Sequence, residues 1–331
     1  MIKLGIIGTN WITQQFIDAI KLSDQYQLTT VYSRSMEHAT EFGKHNGATE
    51  FYDDLEMFFE QGIFDTVYIA SPNSLHFEQA KLAINHEKNV IVEKPAFANQ
   101  KEMTLIQEEL KKFPRVLYFE AARQIHTENF KALALQVSKM DQISGANFTY
   151  EKYSSRYDDV LAGKVPNVFS PKFAGGALQD LGVYTVYDAV ALFGMPEEVA
   201  YYPQLIDTGV DGKGTAILQY PEFTVVLNFG KIVNSYMTSE IYGLKDTIEI
   251  DDAGEIEEVV YIDQDKTRHV IGNVDEFNPM FGEIKDFAKI INDPQDPDNQ
   301  LEYERLRELS INVNKLLFNL RQDAHLKFPN D

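Results

Sequence analysis

Residues 1–120 alternate between short runs that are apolar throughout and longer amphipathic segments, and few folds accept that pattern. The predicted strands are Lys3–Ile7, Leu28–Ser33, Asp65–Ala70, Asn89–Glu93 and Arg115–Phe119. The predicted helices are Trp11–Lys21, Ser35–His45, Leu75–His86 and Asn99–Lys112. Strands without polar alternation are buried on both faces, which calls for a parallel sheet covered by helices on each side. Right-handed crossovers then give a doubly wound α/β domain of Rossmann type. Ligands of such sheets bind beyond the C-terminal ends of the strands, so the turns that follow the strands carry the information.

The first of these turns is Gly8-Thr9-Asn10-Trp11-Ile12-Thr13. Against the pattern G-x-G-x-x-G/A it keeps the first glycine, with Asn10 and Thr13 at the other two places. Asn10 is expected to tolerate a left-handed backbone, and Thr13 to be small enough for close helix–strand packing. The helix that opens here offers N–H groups and a positive dipole end to a pyrophosphate. Taken alone, the motif also reads as a plain turn of some other α/β protein. The second strand runs into Ser33-Arg34, where an NAD-specific site carries Asp or Glu. A hydroxyl followed by a guanidinium suits a 2′-phosphate, so NADP is expected in preference to NAD.

Length and charge narrow the rest. A chain of 331 residues with 44% apolar residues accommodates two ordinary domains. With 51 acidic and 30 basic residues, the formal charge is −21, which repels nucleic acid and anionic membrane surfaces. There is no cysteine, hence no disulfide, thiolate nucleophile or cysteine-ligated zinc. The seven histidines are scattered without metal-ligand spacing, and no metal is expected. No apolar run approaches the roughly 20 residues of a membrane span, and the N-terminus lacks the basic stretch of a signal peptide. A cytoplasmic protein acting on a small molecule is expected.

Beyond Glu120-Ala121-Ala122-Arg123, which marks the domain crossing, the pattern changes. A helix is predicted over 125–139. Strands follow over Ala146–Tyr153, Gly214–Tyr220, Thr224–Phe229, Met237–Tyr242, Asp246–Ile250 and Glu257–Ile262, with turn signals at Asp211-Gly212 and Ala253-Gly254. Strands in succession without helices between them argue for antiparallel pairing, with one face covering helices and the other, if apolar, open to a second subunit. Between these strands a helix is predicted from about Gly175-Gly176-Ala177 to Phe193, ended by Gly194 and Pro196. Its Asp180 and Tyr184, four residues apart, would share one face. Asp286–Ile291 reads as a helix end, and a final helix from about Leu301 docks on the core through Leu306, Leu309, Val313, Leu316 and Leu320.

Five blocks, GIIGTNWIT, YSRS, YIASPNSLHFEQA, VIVEKP and GGALQDLGVY, stand in the order and approximate spacing of the Gfo/Idh/MocA oxidoreductases, and the chain resembles that family over most of its length. The resemblance implies a Rossmann domain, residues 1–121, and a substrate and oligomerisation domain, residues 122–331, built on an open, mainly antiparallel sheet. It implies hydride transfer between NADP or NAD and a sugar, polyol or related substrate, in a homodimer or homotetramer formed through the C-terminal sheet. The implied cofactor contacts are Gly8, Thr9, Asn10, Trp11, Ile12, Ser33, Arg34, Ser71, Pro72, Asn73, His76, Glu93 and Lys94. The implied catalytic residues are Lys94, Asp180 and Tyr184, and Arg123 is a candidate substrate contact.

Where the family pattern G-G-x-L-x-D-x-G-x-H has histidine, this chain has Tyr184, a variation found within the family. Free tyrosine titrates near 10, and a nearby ammonium would bring it down, so Lys94 and Tyr184 make sense as a pair. Tyr184 would exchange the proton at the substrate oxygen, Lys94 would hold that oxygen, and Asp180 would bind a neighbouring hydroxyl or orient Lys94. The family often has Asp three residues after the histidine; Tyr187 stands there, with Asp188 next to it, which puts polyol recognition on that side in question. Two alternatives remain: a dihydrodiol dehydrogenase-like enzyme acting on an apolar diol, and a cofactor-sensing regulator without turnover.

Overall fold

In the computed structural model, which describes every residue except Glu276 and Asn330, residues Met1–Ala121 and Phe277–Ser310 form one unit, and Ala122–Glu276 with Ile311–Asp331 form another. The first unit is thus interrupted after Ala121, and residues 277–310 return to it.

The first unit contains β1 (Ile2–Ile7), α1 (Trp11–Ser23), β2 (Tyr26–Tyr32), α2 (Met36–Asn46), β3 (Glu50–Tyr52), α3 (Leu55–Gln61), β4 (Thr66–Ile69), α4 (His76–Asn85), β5 (Asn89–Glu93), α5 (Gln100–Lys112) and β6 (Tyr118–Ala121). The strands pair in parallel in the order β3-β2-β1-β4-β5-β6, the doubly wound sheet expected from the apolar runs. Sequence periodicity misses β3 and α3, because β3 is a half-exposed three-residue edge strand. Aromatic packing fills the layer between sheet and helices. Phe16 stacks on Tyr68 at 3.7 Å, and Phe58, Phe59 and Phe64 pack behind Gly5. Each fully buried Phe contributes about 1.5–3 kcal/mol of burial free energy.

The second unit contains α6 (Glu128–Val137), β7 (Gly145–Glu151), α7 (Tyr157–Leu161), α8 (Val183–Phe193), β8 (Glu198–Leu205), β9 (Asp211–Gln219), β10 (Thr224–Gly230), β11 (Ser239–Tyr242), β12 (Thr247–Ile250), β13 (Val259–Ile262) and β14 (Arg268–Gly272). Its eight-stranded sheet runs β14-β13-β12-β11-β7-β10-β9-β8. Every neighbouring pair is antiparallel except β7 with β10, which is parallel. The predicted helix over 125–139 is a 3-10 turn, Arg123–His126, followed by α6. Asp211-Gly212, read as a turn, instead opens β9: Asp211 is buried and accepts the Leu178 N–H at 2.7 Å and the Tyr201 hydroxyl at 2.6 Å.

Two helices close the chain. α9 (Phe281–Asn292) begins before the predicted helix end at Asp286–Ile291, and α10 (Pro297–Asp323) begins before Leu301. The α10 residues Leu306, Leu309, Val313, Leu316 and Leu320 are buried, as helix docking requires. Among the described residues, no helix is long and apolar enough to cross a membrane, and no cluster of three or more His, Cys, Asp or Glu could hold a metal.

Candidate active site

In the first unit, β1 and β4 are neighbours at the point where the strand order reverses, so the turns that follow them meet. Gly8 has φ +106°, and a Cβ there would lie 2.7 Å from the Ala70 carbonyl oxygen, so glycine is required. Asn10 does not take the left-handed conformation suggested by the sequence; its φ is −96° and its ψ −178°. Its Oδ1 accepts the N–H groups of Ile12 and Thr13, both at 3.1 Å, and its Nδ2 donates to the Ala70 carbonyl at 2.9 Å. Capping demands an extended backbone, and the cap prevails over the left-handed alternative. Two amides expected to face a pyrophosphate are therefore engaged by Asn10. The backbone of Thr9–Trp11 and the dipole end of α1 stand at the mouth of the turn. Trp11 is 71% exposed there, while Thr13 is fully buried against the sheet.

Beyond β2, Ser33 is half-buried and its N–H donates to the Tyr52 carbonyl at 3.1 Å, which ties the turn to β3. Arg34 is exposed. Beyond β4, Ser71 and Pro72 lead into a 3-10 turn, Asn73–Leu75, and the Ser71 hydroxyl donates to Gln79 Oε1 at 2.6 Å.

His76 points inward and is 1% exposed. Its Nδ1 lies 3.2 Å from the carbonyl oxygens of both Pro95 and Ala96, and its Nε2 lies 2.8 Å from that of Ser71. The Ala96 N–H donates to buried Glu120 at 2.9 Å, and the other oxygen of Glu120 accepts the Ser310 hydroxyl. Lys94, half-buried just past β5 and joined to Pro95 by a cis peptide bond, begins a segment fixed from two sides. Glu93 is buried and accepts the Tyr68 hydroxyl at 2.5 Å. His76 and Glu93 thus support the turn from behind, a role the bare motif does not reveal.

Burial lowers the His76 imidazole below its ordinary value, although the three carbonyls of Ser71, Pro95 and Ala96 oppose that shift. A histidine depressed in the folded state binds protons more readily in the unfolded chain. Its contribution to stability is intact above the unfolded value near 6.5 and is lost as pH falls from there toward the folded one. We expect the urea midpoint to drop between pH 7 and 5, and to drop less in His76→Gln. Equal slopes in the two proteins would remove His76 as the source.

In the second unit, the predicted helix is not α-helical from its start. Leu178–Gly182 form a π-helical turn, and α8 begins at Val183. Such turns place side chains out of simple four-residue register. The residues just before it are closely packed: a Cβ on Gly175 would lie 2.7 Å from the Val168 backbone, and one on Gly176 would lie 2.1 Å from Asp211. Asp180 pairs with Lys231, the Nζ–Oδ2 distance being 2.5 Å. Tyr184 is 5% exposed, meets Tyr150 edge-on at 5.3 Å, and lies beneath the Arg123 guanidinium at 5.8 Å. Arg123 is itself buried and donates to Glu255 at 2.9 Å, which gives it a partner within its own unit. Asp188, one turn beyond Tyr184, is 1% exposed; burial and then Asp252 raise its carboxyl well above the usual range.

Residues 2–120 match the family described as "Oxidoreductase family, NAD-binding Rossmann fold", and residues 146–249 match "GFO/IDH/MocA C-terminal domain". Scyllo-inositol 2-dehydrogenase (NADP(+)) IolU of Bacillus subtilis (strain 168) is 39% identical over 100% of this chain and 99% of its own length. Trans-1,2-dihydrobenzene-1,2-diol dehydrogenase of Danio rerio is 26% identical over 66% of this chain and 65% of its own. Among solved structures, the 3-ketoreductase KijD10 of Actinomadura kijaniata superimposes with a TM-score of 0.84 at 20% identity, covering 97% of both chains.

Proposed function

We propose, from the premise that this chain belongs to the Gfo/Idh/MocA family of NAD(P)-dependent oxidoreductases, that it is an NADP-dependent dehydrogenase of cyclic polyols working in the cytoplasm, with scyllo-inositol as the first substrate to test. The observation that carries this reading is Lys94, half-buried at the C-terminal end of β5 on a segment held by His76 and Glu120. Full-length similarity to a scyllo-inositol dehydrogenase supports the substrate class.

The first unit fits a dinucleotide. Gly8 has no side chain to block the backbone, α1 presents its N-terminus, and Arg34 stands beyond β2 with no carboxylate at the adjoining Ser33 and Ser35. NADP, when bound, supplies the hydride acceptor. Thr9, Asn10, Trp11 and Ile12 would border the pyrophosphate, Ser33 and Arg34 would take the 2′-phosphate, and Ser71, Pro72 and Asn73 would border the nicotinamide. Lys94 holds the substrate oxygen and stabilises the negative charge that develops on it. In the oxidative direction Tyr184, reacting as the phenolate after releasing its own proton to solvent, takes the hydroxyl proton while the hydride leaves for the nicotinamide. Asp180 accepts a hydrogen bond from a neighbouring hydroxyl, and Arg123 steadies the Tyr184 ring rather than reaching the polyol.

Arg34→Ala tests the cofactor assignment. A charge-assisted contact to the 2′-phosphate is worth about 1.5–3 kcal/mol, so NADPH should bind about 10- to 100-fold more weakly while NADH binding is unchanged. Trp11, the only tryptophan, sits where energy transfer to reduced nicotinamide reports occupancy. Equal weakening of both cofactors would end the phosphate role.

The sheet of the second unit is also proposed to mediate a homodimer or homotetramer. Its less buried face is mixed rather than purely apolar: Ile217, Val226 and Tyr202 surround the hydrogen-bonded row Thr215, Asn228 and Asn147. Light scattering on the purified protein decides the mass.

A further inference from the structure

We infer that Lys231 is a positioning residue for the reaction: it fixes the carboxylate of Asp180 in the orientation that receives the substrate hydroxyl. This rests on the reading of Asp180 as a substrate-binding group.

Lys231 follows β10 directly, and its backbone is pinned on both sides. Its N–H donates to the Gly212 carbonyl at 2.8 Å, and its carbonyl accepts the Ser154 N–H at 2.9 Å. The side chain is 2% exposed. Its ammonium donates to the Val168 carbonyl at 3.0 Å, lies 4.3 Å from the centre of the Phe169 ring, and meets Asp180 Oδ2 at 2.5 Å. Buried Asp211, which accepts the Leu178 N–H and the Tyr201 hydroxyl, also feels the Lys231 charge. Backbone, carbonyl and ring together leave the ammonium one place to be.

The pair is asymmetric. Asp180 is 36% exposed, whereas Lys231 is buried at a real desolvation cost. A carboxylate near solvent does not need a buried cation for its stability. What the cation provides is direction: one oxygen is held from inside, so the carboxylate presents a set face. The same end of the π-helical turn rests on Gly175 and Gly176, whose missing side chains admit Val168 and Asp211. The Lys231 cradle and the segment that leads into the π-helical turn therefore share Val168. Hydride transfer is sensitive to misplacement, and an error near 1 Å costs about a hundredfold.

The test is a double-mutant cycle on the full-length enzyme with NADP and scyllo-inositol. Lys231→Met and Asp180→Asn should each lower kcat/KM about a hundredfold, with changes in both kcat and substrate KM and with NADPH affinity unchanged. The double variant should be no worse than the poorer single variant, because both remove one function. If Lys231→Met does not fold, Lys231→Gln, which keeps a donor for the Val168 carbonyl, should show the same pattern at about tenfold. Normal kinetics in the lysine variants beside an impaired Asp180→Asn would overturn this inference alone, as would fully multiplicative losses. A wild-type enzyme inactive on every polyol, or an Asp180→Asn variant with normal kinetics, would overturn the reading of the site and this inference with it.

Discussion

Lys94→Ala is expected to lower kcat/KM for scyllo-inositol about a thousandfold while leaving NADPH affinity within a few-fold of wild type. In the proposed mechanism the ammonium meets charge developing on the substrate oxygen, and alanine would leave that charge unanswered. The fold should tolerate the change. The segment after Lys94 is held by the Pro95 and Ala96 carbonyls on His76 and by the Ala96 N–H on Glu120, and none of these contacts uses the lysine side chain. Lys94→Arg should not restore full activity, because a planar guanidinium cannot take the place of a compact ammonium at one oxygen. A variant that melts like wild type, binds NADPH and turns over normally would remove Lys94 from the chemistry.

Tyr184→Phe should lower kcat about a hundredfold with little change in thermal stability. Tyr184 is nearly buried, and its ring meets Tyr150 edge-on and the Arg123 guanidinium above its face. Phenylalanine keeps both ring contacts, so the loss isolates the hydroxyl. The Tyr184→Ala variant would confuse two effects, since emptying this position costs about 3–5 kcal/mol of packing as well. The pH dependence of kcat is the second readout: removing the proton-exchanging group should flatten the limb that reports it. An unchanged rate and an unchanged profile would assign Tyr184 to packing alone.

The parts of the fold that sequence makes legible are those set by local pattern. Uniformly apolar runs identify β1, β2, β4 and β5, because such strands have no solvent-facing side. The same logic fails for β3 and for β14, whose residues lie largely in partial or full exposure at sheet edges. Lys94 is legible through its motif and its place after a strand. The support behind it is not: nothing in the spacing says that His76 turns inward or that Glu120 reaches Ala96. The Asp180–Tyr184 spacing suggests one regular α-helix, but Leu178–Gly182 form a π-helical turn, and the spacing says nothing of the close packing of Gly175 and Gly176 against Val168 and Asp211. Lys231 is likewise invisible beforehand, because a buried lysine acquires its meaning only from the carboxylate, carbonyl and ring that meet it. Asn10 is the reverse case: its place in the motif is legible, yet capping rather than left-handed geometry explains it.

Nicotinamide absorbance, followed during incubation of the purified protein with NADP and scyllo-inositol and with Lys94→Ala run beside it, decides whether the protein oxidises cyclic polyols through Lys94. The wild type is expected to form NADPH steadily, more slowly when NAD replaces NADP, and the variant to be about a thousandfold slower. Equal rates in the two proteins, or no turnover of scyllo-inositol and related cyclic polyols by a wild type that binds NADPH as judged by Trp11 emission, would contradict it.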